Sequence, residues 1–383
     1  MAETDEATTR RETLVRHLED TGALQDAAVR EAMLAVPRHL FLPAEPLART
    51  YEDDAIATKR TAAGVAISSA SQPAMVAMML EQLALAPGMR VLEIGAGTGY
   101  NASLLRTLVG ETGHVTTIDI DEDITTAARA HLAAVGITDV TVITDDGAVG
   151  FAANAPYDRV ILTVGAGGIA PAWVTQLAAD GLLVLPLRVG AAQFSIAFAR
   201  VGEALRSRSI ISCGFMPLRG TMDESGATRV LASGLRMLTP SDVPIDRTQL
   251  ENLFTTPPTE RVIEGAGWGS FSALSLDGHA PVMLQSDDAR YGFTGGAFAY
   301  IDATGTSACV VRAQAGGPYN PALVYGSPDA ADELNRALAE WQAEGAPTPQ
   351  SYAITAIPEG DDTPVREGAT TVQLPHWRLV ITR

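Results

Sequence analysis

The sequence predicts an α/β fold, a doubly wound parallel sheet covered by helices, followed by a mixed α+β region. Three observations carry that expectation. Between residues 90 and 187 short apolar runs alternate with helical segments, the pattern of parallel strands buried on both faces. A glycine-rich turn, "EIGAGTG", joins the first of those runs to a helix, and such sheets hold ligands at the carboxyl ends of their strands. After about residue 190 polar and apolar residues alternate instead, as in half-buried antiparallel strands.

Taken in order, residues 10–34 repeat Leu14, Leu18, Leu24, Val29 and Met33 at helical spacing. The stretch "VPRHLFLP" is bounded by Pro37 and Pro43, and a polar stretch, "YEDDAIATKRTAAG", follows. From Pro73 to Leu85 a helix is expected, with Met75, Val76, Met79, Leu80 and Leu83 on one face. Strands are expected at 90–94, 114–119, 140–144, 159–164 and 181–187, with helices around 100–109, 122–134 and 171–179. Beyond them "QFSIAFARV", "FAYIDA", "SACVVRA", "YAITAI" and "HWRLVIT" predict strands, and 216–260 predicts a loop-rich part. One helix interrupts, from about Pro328 to Glu344. Ser327 is its candidate N-cap, Leu334, Leu338 and Trp341 form its apolar stripe, and Gly345 ends it. The expected division is an N-terminal helical segment with a covering loop at 1–72, a ligand-binding core at 73–195 and an α+β domain at 196–383.

Composition narrows the function classes. Hydrophobic residues make up 46% of 383 and charged residues 19%, ample for a buried core. The net charge of -18 argues against a nucleic-acid partner, which favours a basic surface, and is compatible with a basic peptide. Cys213 and Cys309 sit in no CxxC or Cys/His cluster, so free buried thiols are expected rather than a zinc site or a disulfide framework. The start, "MAETDEATTRRET", lacks the apolar core of a signal peptide, and no apolar run is long enough to span a bilayer. The expectation is a soluble, cytoplasmic protein with no membrane and no metal.

The glycine turn narrows the ligand. Glu93, Gly95, Gly97 and Gly99 are spaced E-x-G-x-G-x-G, and the third glycine position of a dinucleotide site is Tyr100. That spacing argues against a nicotinamide dehydrogenase. It is the pattern of S-adenosylmethionine-dependent methyltransferases, whose core is a Rossmann-like sheet of the seven-stranded type. Glycines let the backbone approach a ligand without side chains intervening. Asp119, 20 positions after Gly99, is placed to accept hydrogen bonds from two ribose hydroxyls. Asp146 follows the third strand, where adenine contacts are expected. Ala96, Ile120 and Gly147 adjoin these positions and complete the expected cofactor set. A scaffold with a vestigial fold would predict a damaged loop, and this one is intact.

With those residues in view, "AVREAMLAVPRHLFLP", "YEDDA", "SQPAMVAMMLEQL", "VLEIGAGTGYNASLL", "DDGAVGFAANAPYDRVILTVGA" and "GLLVLPL" resemble the protein-L-isoaspartate O-methyltransferase family. The resemblance spans about residues 10–190. It implies methylation of a carboxylate of aspartyl or isoaspartyl residues in peptides and proteins. The family's G-x-x-I-S-x-P-x-M segment corresponds to "GVAISSASQPAMVA", residues 64–77. Aligned from the helix side, Ser71 takes the serine position; aligned from Gly64 and Ile67, Ser68 does. The segment is longer than in repair enzymes, and Val65-Ala66 stands where Gln-Thr is usual. Together with the chain beyond 190, these departures resemble a long subgroup associated with lanthipeptides, lasso peptides or graspetides. That resemblance implies an Asp-containing precursor peptide as partner, whose methyl ester closes to an aspartimide that persists or hydrolyses to isoaspartate. The alternative is repair of isoaspartyl proteins. The implied role of Ser71, or of Ser68, is to hold one carboxylate oxygen; Ser71 is also a candidate N-cap of the helix near Pro73. Asp53 in "YEDDA" matches a family position near the substrate segment and fits a structural hydrogen-bond role as well. His39, His376 and Trp377 are expected to pack, and Lys59 and Arg60 either meet an acidic peptide or lie in a solvated loop. The α+β domain at 196–383 is expected to dock the substrate peptide, so a chain cut after about residue 195 is expected to lose precursor binding while its cofactor affinity stays nearly intact.

Overall fold

The structure is a computed structural model that describes residues 5–62, 64–223, 228–238, 246–279, 281–312, 319–361 and 364–383. The chain forms two compact units, one of residues 1–186, 195–209 and 213–222, the other of 187–194, 210–212 and 223–383.

The first unit opens with α1 (Asp5–Asp20), α2 (Ala27–Ala35) and the short α3 (Leu47–Thr50). The expected helical stretch breaks in two because Gly22 takes φ +75° and Asp26 caps α2, accepting from the N–H groups of Ala28 and Val29 at 2.8 and 3.0 Å. An antiparallel hairpin of β1 (Ile56–Arg60) and β2 (Ala66–Ala70) follows, and then α4 (Pro73–Leu83). Next come β3 (Arg90–Ile94), α5 (Tyr100–Val109), β4 (His114–Asp119), α6 (Glu122–Ala134), β5 (Thr141–Thr144) and β6 (Tyr157–Leu162). The unit is completed by α7 (Pro171–Thr175) and by most of β7 (Leu177–Val189), β8 (Ala192–Val201) and β9 (Ala204–Cys213).

Its strands run in the order β9-β8-β7-β6-β3-β4-β5, and β7-β6-β3-β4-β5 are parallel. From β3 the chain winds outward through β4 and β5, then returns to β6 on the other side. The order reverses between β3 and β6, and the crevice above such a reversal is where doubly wound sheets bind ligands. One expected element is corrected: the helix predicted over 171–179 stops at Thr175. Gln176 is drawn into tertiary bonds, its side chain accepting from Phe151 N at 2.7 Å and donating to Val149 O at 2.9 Å. Its carbonyl accepts from Tyr157 N at 2.9 Å, so β7 begins at the next residue.

The second unit holds β10 (Thr228–Ala232), β11 (Leu235–Leu238), α8 (Arg247–Leu253), β12 (Thr259–Glu264) and α9 (Trp268–Leu276). It continues with β13 (Val282–Ser286), β14 (Gly295–Ile301), β15 (Ser307–Val311), β16 (Tyr319–Gly326) and α10 (Asp329–Ala343). It ends with β17 (Ala353–Pro358), β18 (Thr370–Leu374) and β19 (Trp377–Thr382). An antiparallel sheet of order β10-β11-β13-β14-β15-β16-β12 packs Phe298, Cys309 and Val324 against Leu334 and Leu338 of α10. Ser327 does not cap α10: its hydroxyl donates to the Asp329 carboxylate at 2.7 Å, and the distant Ser307 hydroxyl accepts from Ala330 N at 3.0 Å. The loop-rich part expected at 216–260 carries β10, β11, α8 and the start of β12, and its residues 224–227 and 239–245 lie outside the described residues. Cys213 and Cys309 are buried and not joined in a disulfide. No described helix is long and apolar enough to cross a membrane.

Candidate active site

A cavity of about 410 Å³ opens above the carboxyl ends of β3, β4 and β6, with Gly147 reaching it from the loop after β5. Of the residues singled out in the sequence, Gly95, Ala96, Gly97, Asp119, Ile120, Gly147, Ser68 and Ser71 line it. The turn after β3 is held by the Ile118 carbonyl, which accepts from Gly95 N and Ala96 N at 2.8 and 3.0 Å. Gly95, at φ +102°, tolerates no side chain, since a Cβ there would stand 2.5 Å from Thr163 Oγ1. Gly97 has φ +51° and keeps its backbone open to the cavity, while Gly99, at φ +86°, packs behind it against the Ala128 carbonyl and starts α5.

The acids divide by position. Glu93 lies beneath the turn, fully buried, accepting from Thr117 Oγ1 at 2.5 Å and Asn101 Nδ2 at 2.8 Å. Burial pushes its carboxyl up to about 7 against those two donors. Asp119 stands at the end of β4, where burial also raises its carboxyl even though Gly97 N donates to it at 3.1 Å. Asp146 does not line the cavity. Its oxygens accept from Ala148 N at 2.9 Å and Thr221 N at 2.7 Å, and these donors outweigh burial and hold its carboxyl low. Gly147 beside it is pressed against Ile94, and Trp173 Nε1 donates to its carbonyl at 2.9 Å.

The roof is the β1–β2 hairpin and the turn into α4. Ser68 accepts from Thr58 Oγ1 at 3.1 Å, and Ser69 and Ser71 lie along the same rim. Ser71 does not cap α4. Asp53 does so from the preceding loop, accepting from Ala74 N at 2.8 Å and from Gln72 Nε2 at 3.0 Å, and it stays outside the cavity lining. Arg38 sits buried beneath, donating to Thr50 O and Ser71 O at 3.0 Å each with its guanidinium 5.1 Å from the Tyr100 ring centre. Burial lowers the Arg38 pKa.

One wall was not visible in the sequence. Residues Gly214–Arg219 line the cavity, held by bonds of 2.7 Å between Gly165 N and Met216 O and between Leu218 N and Gly165 O. These are backbone bonds, so no motif marks them. Gly220, at φ +106°, is the one local signal, because a Cβ there would sit 2.6 Å from the Asp146 carboxylate. A cut after about residue 195 would remove this wall together with the Thr221 partner of Asp146. Asn101 and Thr163 also line the cavity unanticipated.

The sequence pattern described as "Protein-L-isoaspartate(D-aspartate) O-methyltransferase (PCMT)" matches residues 9–223, more than half of the chain. The chain belongs to this family. It is 36% identical to a protein-L-isoaspartate O-methyltransferase of Ignicoccus hospitalis over 206 residues, covering 54% of this chain and 95% of that one. A namesake from Methanosarcina mazei is 41% identical over 177 residues, 46% of this chain and 70% of the relative. A solved structure titled protein-L-isoaspartate O-methyltransferase superposes with a TM-score of 0.54 at 24% identity, covering 90% of this chain and 96% of that chain. That likeness is one of fold, and it runs past residue 223, so a C-terminal region beyond the family pattern also occurs there. This methyltransferase is thus an enzyme that transfers methyl groups from S-adenosylmethionine to carboxyl groups of polypeptides. The cavity fits that cofactor: its volume lies in the range of small-molecule sites, its glycine turn offers bare backbone, and Asp119 offers a carboxylate at the rim.

Proposed function

We propose that this methyltransferase esterifies the free carboxylate of an isoaspartyl residue in a protein or peptide. The observation that carries the reading is that Ser69 and Ser71 share one cavity with Gly95, Gly97 and Asp119, so a carboxylate held at the serine rim meets a cofactor held on the glycine turn. In this reading Gly95, Ala96 and Gly97 cradle the cofactor, Asp119 and Ile120 take its ribose side, and Gly147 the adenine. Glu93, Gly99 and Asp146 brace those segments from behind.

When bound, S-adenosylmethionine supplies an electrophilic methyl group on a sulfonium. A carboxylate is already ionised at pH 7, so the site needs no strong base. The chain's task is alignment and exclusion of water. The Ser71 hydroxyl donates to one carboxylate oxygen and leaves the other facing the methyl carbon; Ser68 is the alternative donor. Transfer of that methyl would form the C–O bond as the C–S bond breaks, its electron pair remaining on sulfur. Asp53 acts by fixing the turn that carries Ser71.

A second reading is a dedicated Asp-containing peptide whose ester closes to an aspartimide. It is favoured by the roof segment "GVAISSASQ", which departs from the repair pattern in length and in Val65-Ala66. The test is mass spectrometry of the enzyme with S-adenosylmethionine and three peptides of equal charge: an isoaspartyl peptide, its aspartyl isomer, and a pre-crosslinked Asp-Gly peptide. Methyl transfer to the isoaspartyl peptide alone is the expected result. Transfer only to the crosslinked aspartyl peptide, followed by loss of methanol, would replace the first reading with the second.

A further inference from the structure

Lys59 is the only lysine in the chain; the other 26 of its 27 basic residues are arginine. It is engaged within the chain rather than free for an acidic peptide. Its ammonium donates to Asp121 Oδ2 at 2.9 Å and to Asp123 Oδ1 at 2.7 Å, just past the end of β4. The same Asp121 oxygen accepts from Arg219 Nη2 at 2.7 Å, with Nη1 3.3 Å from Oδ1. Asp121 therefore ties two walls of the cofactor cavity to the strand end that carries Asp119. One is the hairpin, whose β2 edge contributes Ser68 and Ser69; the other is the wall that ends at Arg219.

The three side chains are 29%, 21% and 33% exposed for Lys59, Asp121 and Arg219, sheltered enough to matter and open enough to be screened by salt. Among the described residues little else holds the hairpin. Its buried apolar contacts are Ile56 and Ala70 with Leu42, and a two-stranded sheet is marginal on its own. A compact ammonium with three donors can bridge two carboxylates on one loop, whereas the planar fork of arginine favours one carboxylate at a time. Neighbouring Arg60 turns away and donates to Gly64 O at 3.0 Å.

We infer that Lys59 is a positioning residue that clamps the hairpin over the cofactor, and that release of this clamp is the step through which S-adenosylhomocysteine leaves. The inference rests on the cofactor assignment of the cavity and not on which polypeptide is methylated, so it is tested without a peptide substrate. The dissociation rate of S-adenosylhomocysteine is measured by displacement with excess S-adenosylmethionine for the wild type, Lys59→Met and Lys59→Arg. The wild-type rate should climb as salt is raised from about 0.05 to about 0.5 M. Lys59→Met should release about fivefold faster at low salt and lose the salt response, and Lys59→Arg should recover part of the slow release. A rate for folded Lys59→Met within twofold of wild type, with the salt response intact, overturns the inference. Should that variant not fold, the single lysine allows the same question of the unaltered enzyme. Acetylation by an amine-selective ester should be slowed at Lys59 by bound S-adenosylhomocysteine relative to the α-amine, and equal labelling with and without ligand overturns the clamp.

Discussion

Ser71 and Ser68 differ in what already engages their hydroxyls. Ser68 accepts from Thr58 at 3.1 Å, while the Ser71 hydroxyl has no hydrogen-bond partner among the described residues and its carbonyl is fixed by Arg38 at 3.0 Å. A hydroxyl that is free, on a backbone that is not, suits recognition of a carboxylate. Ser71→Ala should lower kcat on the order of 10²-fold while the dissociation constant of S-adenosylhomocysteine, read by calorimetry, stays within twofold; Ser68→Ala should change kcat far less. An equal loss in both variants would assign the carboxylate to the whole rim. Glu93 carries the second residue-scale prediction. Its folded carboxyl sits near 7 against an ordinary value of 4.5, because burial disfavours the charge. The folded state therefore binds the extra proton in that window, and stability is full below about 4.5 and declines as pH rises toward and through about 7. Glu93→Gln, neutral at every pH, should lack that decline, so the difference in melting temperature between the two proteins should shift in favour of the variant from pH 5 to pH 8. A constant difference would mean that Thr117 and Asn101 compensate the charge in full. The motif E-x-G-x-G-x-G made Glu93 and the glycines legible, but not their division of labour. Spacing records which residues lie near the turn, and only the fold shows that Glu93 supports it from below.

At the scale of elements, α4 begins where Asp53 reaches across 21 positions to bond Ala74 N, although Ser71 is the nearer candidate in sequence. Asp53→Ala should cost about 1 kcal/mol through the lost cap, seen as a lower urea midpoint with an unchanged slope. It should also raise KM for the peptide more than it weakens cofactor binding, because the turn it fixes carries Ser71 and not the glycine loop. A loss of cofactor affinity larger than the loss of stability would place Asp53 in the cofactor site. The same contrast explains what the sequence shows well. β3, β4, α5 and α6 match their expected spans because their apolar spacing and their glycine and acidic boundaries are local. Caps supplied from a distance, Asp53 for α4 and Ser307 for α10, leave no mark beside the helix they serve. The end of α7 is illegible for the same reason, being decided by the partners of Gln176 rather than by its neighbours.

Across the whole molecule, legibility falls with the sequence separation of the contacts. In the first unit β4 pairs with β3 and β5, and β6 with β7, each across a single crossover helix, whereas β3 pairs with β6 across the whole β4–β5 excursion. In the second unit β12 pairs with β16, as Thr259 faces Val324, and no local period announces such a partner. The wall at 214–219 is hidden in the same way, since backbone bonds to Gly165 and the pairing of Arg219 with the distant Asp121 place it at the site. One property of the whole chain is legible from composition alone: a net charge of -18 with 45 acidic against 27 basic residues. A field of that sign raises the encounter rate of cationic polypeptides and opposes anionic ones, independently of which side chains touch the substrate. For two isoaspartyl peptides alike at the reacting residue, one flanked by arginines and one by glutamates, kcat/KM should favour the basic peptide at low ionic strength. Raising salt from about 0.02 to about 0.3 M should then lower kcat/KM for the basic peptide by about threefold or more and raise it for the acidic one, because the Debye length shrinks below the range of the field. Because the effect is on encounter, it should appear in kcat/KM and leave kcat at saturation unchanged. Equal salt dependence for both peptides would show that docking is governed by local contacts, and that the acidic excess serves solubility alone.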